Sequence, residues 1–361
     1  MEGLVMRPDF WRGRRVLVTG HTGFKGCWLA KWLVRMGAVV TGYALEAEAY
    51  SNLYLLSGLE HDMSSVIGDV QDFGRLSAVI NQARPEVVFH LAAQAQVREA
   101  YRHPVATYAT NVMGTVHLLE AIRQHGQVKA VVNVTTDKCY ENQEWFWPYR
   151  ESDALGGADP YSSSKACSEM VTQAYRSSFF QQDAGTAMAT ARAGNVVGGG
   201  DASPERLVPG MMAAWEKGEI LEIRMPHAVR PWQYVLEPLR GYMVLAEHLT
   251  AHGQQYASSW NFGPLAQEAC SVEAVVKKMA EKLDSKCEWR VSQQDQPHEA
   301  HQLRLDCSKS AALLNWRPLM NWMDALDEVI AWHHHWKSGA NMADFMNQRI
   351  DSYQARAVCA S

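Results

Sequence analysis

The chain has 361 residues, room for two domains or one large interleaved unit. Its 47% hydrophobic and 20% charged residues describe a globular protein able to bury a sizeable core. A net charge of −5 excludes the broad basic footprint of a nucleic-acid binder, so local basic groups must hold any anionic ligand.

No run reaches the roughly 18 apolar residues of a membrane span. The stretch from Met1 to Arg15 carries charges and no apolar stretch of the secretory type. The seven cysteines are scattered, odd in number and without a Cys-x-x-Cys pair, as expected of reduced thiols in a cytoplasmic protein. Neither a membrane nor nucleic acid is expected as a partner.

Arg15–Thr19 is a short apolar run closed by Gly20 and reads as a buried strand. Phe24 to Met36 has helical apolar spacing and stops at Gly37. Val39–Ala44, Ser65–Gly68 and Glu86–His90 continue as strands, with a helix from Phe73 to Ala83 between the last two. A long helix is expected over Val105–His125, then a strand at Ala130–Val134, a helix over Tyr161–Gln182 and a strand at Ala187–Arg192. Strands alternating with helices argue for an α/β fold: a doubly wound parallel sheet of the Rossmann type, covered on both faces.

After Asn195 the alternation weakens. Gly198–Asp201 reads as a turn, Leu207–Lys217 as a helix, Glu222–Arg224 as a short strand and Tyr234–Ala251 as a helix. Ser259–Pro264 is strand-like, and helices are expected at Ser271–Leu283 and Asn321–Trp336. The expected division is a dinucleotide-binding domain over 1–193, with a returning segment near 231–262, and a smaller α/β substrate domain from 194–230 and 263–361. In open α/β sheets such a cap covers the carboxyl ends of the strands, where ligands bind.

Gly20-His21-Thr22-Gly23-Phe24-Lys25-Gly26 lies between the first strand and helix, spaced Gly-x-x-Gly-x-x-Gly. Such a loop admits a pyrophosphate to the backbone, and the helix N-terminus offers amide donors; a tight turn also uses glycine. Lys25 can meet phosphate or stay solvated. Asp69, before Val70, can reach an adenine amino group or cap the next helix. The second strand ends at Tyr43-Ala44-Leu45-Glu46 without arginines to neutralise a 2′-phosphate, which favours NAD over NADP.

Thr136-Asp137-Lys138 follows the fifth strand, and Tyr161 stands four residues before Lys165. At that spacing the phenol and the ammonium share one helical face, and a nearby cation is expected to lower the phenol's pKa. The phenolate can then take a sugar hydroxyl proton while hydride leaves the same carbon. Thr136-Asp137-Lys138 adds an acid and a base. Redox and acid/base groups in one pocket are what a dehydration through a ketone needs.

These segments resemble the extended short-chain dehydrogenase/reductase family, the NAD-dependent epimerases and dehydratases. The resemblance rests on Gly20–Gly26, Leu91-Ala92-Ala93-Gln94, Asn111, Thr136, Tyr161 and Lys165. It continues through Arg192–Asp201, Arg230–Pro238 and Trp260–Pro264 in one order along the chain. It implies a lyase for a nucleotide-linked hexose, CDP-glucose, and a homodimer or homotetramer built on paired helices.

By the same resemblance Gly20, Thr22, Gly23, Phe24, Gly26, Asp69, Val70, Leu91, Ala92 and Ala93, with Tyr161 and Lys165, bind NAD. Tyr161 is the base for the sugar 4-hydroxyl, assisted by Thr136, and Lys165 holds the nicotinamide ribose. Asp137 is the acid for the departing 6-hydroxyl. Related dehydratases for dTDP-glucose have glutamate where this chain has Lys138. A lysine is a base at C5 only when neutral; as a cation it would stabilise the enolate. Gln94, Arg98, Asn195, Arg206 and Arg230 are the expected substrate contacts, the two last for the pyrophosphate, with a surface ion pair as the other reading.

His21 is expected near the pyrophosphate as a modulator and Trp232 near the substrate. His333-His334-His335 points in several directions on a helix and is not read as a metal site. Two other activities share parts of this pattern. A 4-epimerase needs no acid/base pair at C5 and C6, so Asp137-Lys138 argues against it. A redox-sensing regulator that has lost catalysis would have no use for the Tyr161/Lys165 pair.

Overall fold

A computed structural model describes residues 8–48, 52–181, 185–203, 205–283, 288–292 and 302–359. Seven strands form one parallel sheet: β1 (Arg15–Thr19), β2 (Val39–Ala44), β3 (Ser64–Ile67), β4 (Val87–His90), β5 (Ala130–Val134), β6 (Ala187–Ala193) and β7 (Ser259–Phe262). Their spatial order is β7-β6-β5-β4-β1-β2-β3. The order reverses between β1 and β4, and a crevice opens there at the carboxyl ends. The fold is the expected Rossmann-type α/β architecture.

Period-two alternation assigns the strand side chains to two cores. Val16, Val18, Val87, Phe89, Ala130 and Val132 face one. Leu17, Val88, Val131 and Met188 face the other. The first core is closed by α1 (Phe24–Arg35), whose Trp28, Leu29, Trp32 and Leu33 are buried. The second is closed by α2 (Phe73–Ala83) and α3 (Gly114–His125) through Leu76, Ile80, Leu118 and Ile122. Each such side chain contributes about 1.5–3 kcal/mol of transfer free energy. Parallel strands buried on both faces therefore read as continuous apolar runs.

The long helix expected over Val105–His125 is present from Pro104 to His125, with a π-helical turn inside it. Val97–Arg102 and Pro104–Tyr108 precede a π-helical turn, Ala109–Met113, before α3 begins. The wider turn carries Asn111, whose Oδ1 accepts from the Gln94 amide at 2.8 Å and whose Nδ2 donates to Ser164 Oγ at 2.8 Å. Polar pairing, invisible in the apolar pattern, sets that geometry.

Next comes α4 (Pro160–Phe179), capped by Asp159 and shorter than expected; Gln182 lies outside the described residues. Then follow α5 (Leu207–Lys217), α6 (Leu236–His252), α7 (Val272–Lys282) and α8 (Trp322–Lys337), close to their expected places. The strand expected at Glu222–Arg224 is Leu221–Ile223, paired in parallel with Trp289–Val291.

Beyond the last helix expected from the sequence lies α9 (Met342–Cys359). This helix buries Phe345, Met346, Ile350 and Tyr353. It returns to α1 through the Trp32–Tyr353 edge contact and the Arg35–Asp351 ion pair. Among the described residues no helix is long and apolar enough to cross a membrane.

Candidate active site

A cleft of about 880 Å³ lies over the carboxyl ends of the strands. Gly20, Thr22, Gly23, Phe24 and Gly26 line its floor, with Asp69, Val70, Leu91, Ala92 and Ala93 beside them. Gln94, Arg98, Thr136, Asp137, Lys138, Tyr161, Asn195, Arg206 and Arg230 line the rest. Of the expected site residues Lys165 alone is set back; it is buried, and its Nζ donates to Val134 O at 2.9 Å.

The floor is built from glycine because the backbone leaves no space. Gly20 has φ +77, and a Cβ there would stand 2.7 Å from Ala92 N. A Cβ on Gly26 would stand 2.0 Å from Gly20 O. The strand thus runs almost directly into α1, whose N-cap, Gly23, receives no side-chain cap. Uncapped amides at that N-terminus suit a pyrophosphate.

At the end of β2 the cleft meets Leu45, Glu46, Ala47 and Glu48. Two carboxylates suit ribose hydroxyls and repel a 2′-phosphate, so these residues fit NAD. Asp69 does not cap α2. Its oxygens accept from the Gln71 backbone and side chain, and Asp72 caps the helix through Arg75 N.

His21 lies elsewhere than expected. Its ring is buried against Gly42, Nε2 pairs with Ser65 Oγ at 2.7 Å, and burial pushes its pKa down to about 4. It does not line the cleft. Lys25, on the first turn of α1, is half-buried and lines the cleft. Burial, then the charges of Lys165 and Arg206, push its ammonium down to about 7, while Asp137 pulls it up. Sequence reasoning missed this because the groups around the ammonium come from distant segments: the Tyr242 ring of α6 at 5.8 Å, Lys165, Arg206 and Asp137.

Thr136 Oγ1 donates to Asp137 Oδ1 at 3.0 Å and accepts from Lys138 N at 3.3 Å. Asp137 is 2% exposed, and its Oδ2 has no hydrogen-bond partner among the described residues. Burial raises its pKa; Lys138, Thr136 and Arg230 oppose the shift. A buried carboxyl whose pKa is raised beside a cleft is suited to donate a proton.

Tyr161 begins α4 and Lys165 follows one turn later. The expected lowering of the phenol by Lys165 is not what the chain by itself produces. Burial pushes Tyr161 up to about 12, with the Thr136 hydrogen bond pulling it down and Asp137 adding to the rise. Lys165 is itself pushed down to about 8 by burial, against the charge of Glu169. Desolvation outweighs the Thr136 bond and the charge of Arg206, the cation that lowers the phenol.

Arg230 is buried, and its charge lowers the pKa of Asp137. Arg206 pairs with Asp201 at 2.8 Å and is 40% exposed. The Asp201 side chain is 6% exposed, so the arginine is the exposed half of the pair. The Gln94 side chain turns inward to Gln96 O and Thr107 Oγ1, both at 3.0 Å, and holds its own loop. Asn195 O accepts from Gln233 N at 2.9 Å, and Trp232 lines the cleft. His333 of the histidine triplet pairs with Glu216 and packs on Trp215.

Comparison with known proteins agrees with this geometry. The GDP-mannose 4,6-dehydratase family model matches residues 17–329. This chain belongs to the GDP-mannose 4,6-dehydratase family. It is 47% identical to a CDP-glucose 4,6-dehydratase of Salmonella typhimurium, over 96% of this chain and 98% of that protein.

A dTDP-glucose 4,6-dehydratase of Streptomyces venezuelae, solved with NAD and TYD, shares the fold with a TM-score of 0.78 at 23% identity. The match covers 91% of this chain and 99% of that one. A UDP-glucose 4-epimerase of Thermotoga maritima does so too, with a TM-score of 0.76 at 23% identity over 88% and 98% of the two chains. The shared fold therefore does not separate a dehydratase of this family from an epimerase; the cleft residues must.

Proposed function

We propose that this chain is a CDP-glucose 4,6-dehydratase, a hydro-lyase that forms CDP-4-keto-6-deoxyglucose and water. The observation that carries this is Thr136-Asp137-Lys138 lining the same cleft as Tyr161, in a chain 47% identical to a CDP-glucose 4,6-dehydratase. An epimerase has no task for a buried Asp137 beside Lys138 in this cleft.

The cofactor is NAD, held by Gly20, Thr22, Gly23, Phe24, Gly26, Asp69, Val70 and Leu91–Ala93. When bound, it supplies a hydride acceptor at C4, a donor at C6 and, when oxidised, a positive charge. Tyr161 takes the 4-hydroxyl proton, with Thr136 donating to the same oxygen as it becomes a carbonyl. Lys165 orients the nicotinamide ribose and favours the phenolate. The ketone acidifies C5–H, and Lys138 takes that proton or, as a cation, stabilises the enolate. Asp137 protonates the 6-hydroxyl as it leaves as water. Arg206 and Arg230 hold the pyrophosphate, with Gln94, Arg98 and Asn195 around the sugar.

We assign residues 1–193 and 231–262 to the NAD-binding unit and the remainder to the substrate unit. A homodimer or homotetramer in the cytoplasm completes the reading. Exposed Tyr101, Val105, Tyr108, Met113, Met170 and Phe179 on neighbouring helices support such an apolar seam.

An ultraviolet assay for the 4-keto-6-deoxy product tests the reading, with CDP-, dTDP-, UDP- and GDP-hexoses and with and without added NAD⁺. Turnover of CDP-glucose above the others is expected. Turnover of dTDP-glucose or GDP-mannose alone would show the base assignment to be wrong, and C4 epimers without a keto sugar would show the reaction to be wrong.

A further inference from the structure

Beneath the acid/base residues lies a buried ion pair that the steps above do not use. Glu169, on α4 two turns beyond Tyr161, accepts from Arg192 Nε at 2.9 Å and Nη2 at 2.8 Å, and both side chains are 2% exposed. Burial alone would push the carboxyl up. The Arg192 charge and the hydrogen bonds from Arg192, Thr135 and Thr190 hold it below the ordinary range, so it is charged.

A desolvated pair of this kind adds little net stability, since desolvation offsets much of the attraction. What it does offer is geometry. Glu169 Oε1 also accepts from Thr135 Oγ1 at 2.5 Å. Arg192 Nη1 donates to Tyr140 Oη at 2.8 Å, and Tyr140 Oη in turn donates to Asn261 Oδ1 at 2.7 Å on β7. Thr135 immediately precedes Thr136-Asp137-Lys138, and Tyr140 ends the 3₁₀ turn Asp137–Cys139 that follows.

Both ends of the acid/base turn are thus tied to one ion pair. Its glutamate sits on the helix that carries Tyr161 and Lys165, and its arginine on β6. The Lys165–Val134 bond adds a third tie one residue upstream. We infer that Glu169 and Arg192 are positioning residues: through Thr135 and Tyr140 they fix Asp137 and Lys138 relative to Tyr161, so that elimination follows oxidation. The inference rests on the dehydratase reading.

The test removes single hydroxyls and leaves the ion pair intact. Tyr140→Phe keeps the ring stacked on Tyr149 and loses only the hydroxyl that ties it to Arg192 and Asn261; Thr135→Val loses only the tie to Glu169. Three quantities are followed with CDP-glucose: reduction of bound NAD⁺ in a single turnover, deuterium exchange at C5, and keto-sugar formation. Each variant is expected to keep its reduction rate and KM within about twofold. C5 exchange and product formation should fall about ten- to a hundredfold, as small misplacements of reacting groups do, so reduced cofactor accumulates.

Equal losses in all three quantities, or a fall in melting temperature with unchanged partition between oxidation and elimination, would overturn the inference. If the unaltered chain forms no keto sugar from any nucleotide hexose, the dehydratase reading itself fails, and that arm is measured first.

Discussion

Gly23 and Gly26 stand three residues apart in the same loop, yet an added methyl should act differently at each. At Gly26 a Cβ falls 2.0 Å from Gly20 O and 2.7 Å from Gly20 C, both backbone atoms. Ordinary contact distances are missed by more than about 1 Å, and no side chain can give way. The N-terminus of α1 must swing off the end of β1. Overpacking costs about 1–3 kcal/mol or more, so Gly26→Ala should lower the melting temperature by a few degrees. Losing two charge-assisted amide contacts to pyrophosphate, about 1.4 kcal/mol each, should also weaken NAD⁺ binding about a hundredfold.

At Gly23 the backbone has φ −80 and ψ 167, open to alanine, and the nearest atom to the new Cβ is Gly20 O at 3.4 Å. The methyl then occupies cleft space instead of the fold's interior. Gly23→Ala should melt within about 1 °C of the unaltered chain yet bind NAD⁺ about tenfold or more weakly, by loss of close backbone approach. Tryptophan-fluorescence titration with NAD⁺ and thermal unfolding of the free protein measure the two effects. Unaltered NAD⁺ affinity in Gly23→Ala would refute the placement of the pyrophosphate at this loop.

Lys138→Ala should still reduce bound NAD⁺ but lose C5 deuterium exchange, with product formation down about 10²–10⁴-fold; unchanged exchange would assign the base elsewhere. His90 is buried between Thr19 and Thr115, and burial, then Lys165, push it from 6.5 down to about 3. The unfolded chain therefore binds this proton first, and stability is lost as pH falls from 6.5 towards 3, about 2 kcal/mol of it by pH 5. Urea titrations should show His90→Asn with a shallower acid decline; an identical decline would exclude His90 as its source.

The Glu237 carboxyl shows the opposite sign. Burial raises it from 4.5 to about 7, against the Arg240 charge and bonds from Tyr353, Leu319 and Met320. The folded chain holds this proton after the unfolded chain has released it, so stability falls as pH rises from 4.5 to 7, by about 3 kcal/mol at most. In Glu237→Gln the side-chain amide oxygen would still accept from Leu319 N and Met320 N, as the carboxyl does now. The stability advantage of Glu237→Gln should grow between about pH 5 and about pH 8 in urea titrations, and a constant difference would count against the raised carboxyl.

The alternating βα pattern gave the Rossmann sheet directly, because strands buried on both faces must be apolar without interruption. The Gly20–Gly26 loop, Thr136-Asp137-Lys138 and the Tyr161/Lys165 spacing were legible for a related reason: each is a local arrangement whose geometry follows from a few consecutive residues. What only the tertiary structure decided depends on burial and on partners far away in the chain. Lys25 meets the Tyr242 ring of α6, far away in the chain, and His21 turns into the packing against Gly42 and Ser65. Tyr161 is raised where its neighbour alone would lower it. Glu169, Arg192 and Tyr140 meet although they come from three separate segments of the chain. Side-chain type and spacing fix local conformation, but desolvation and ion pairing depend on which distant residues the fold brings together.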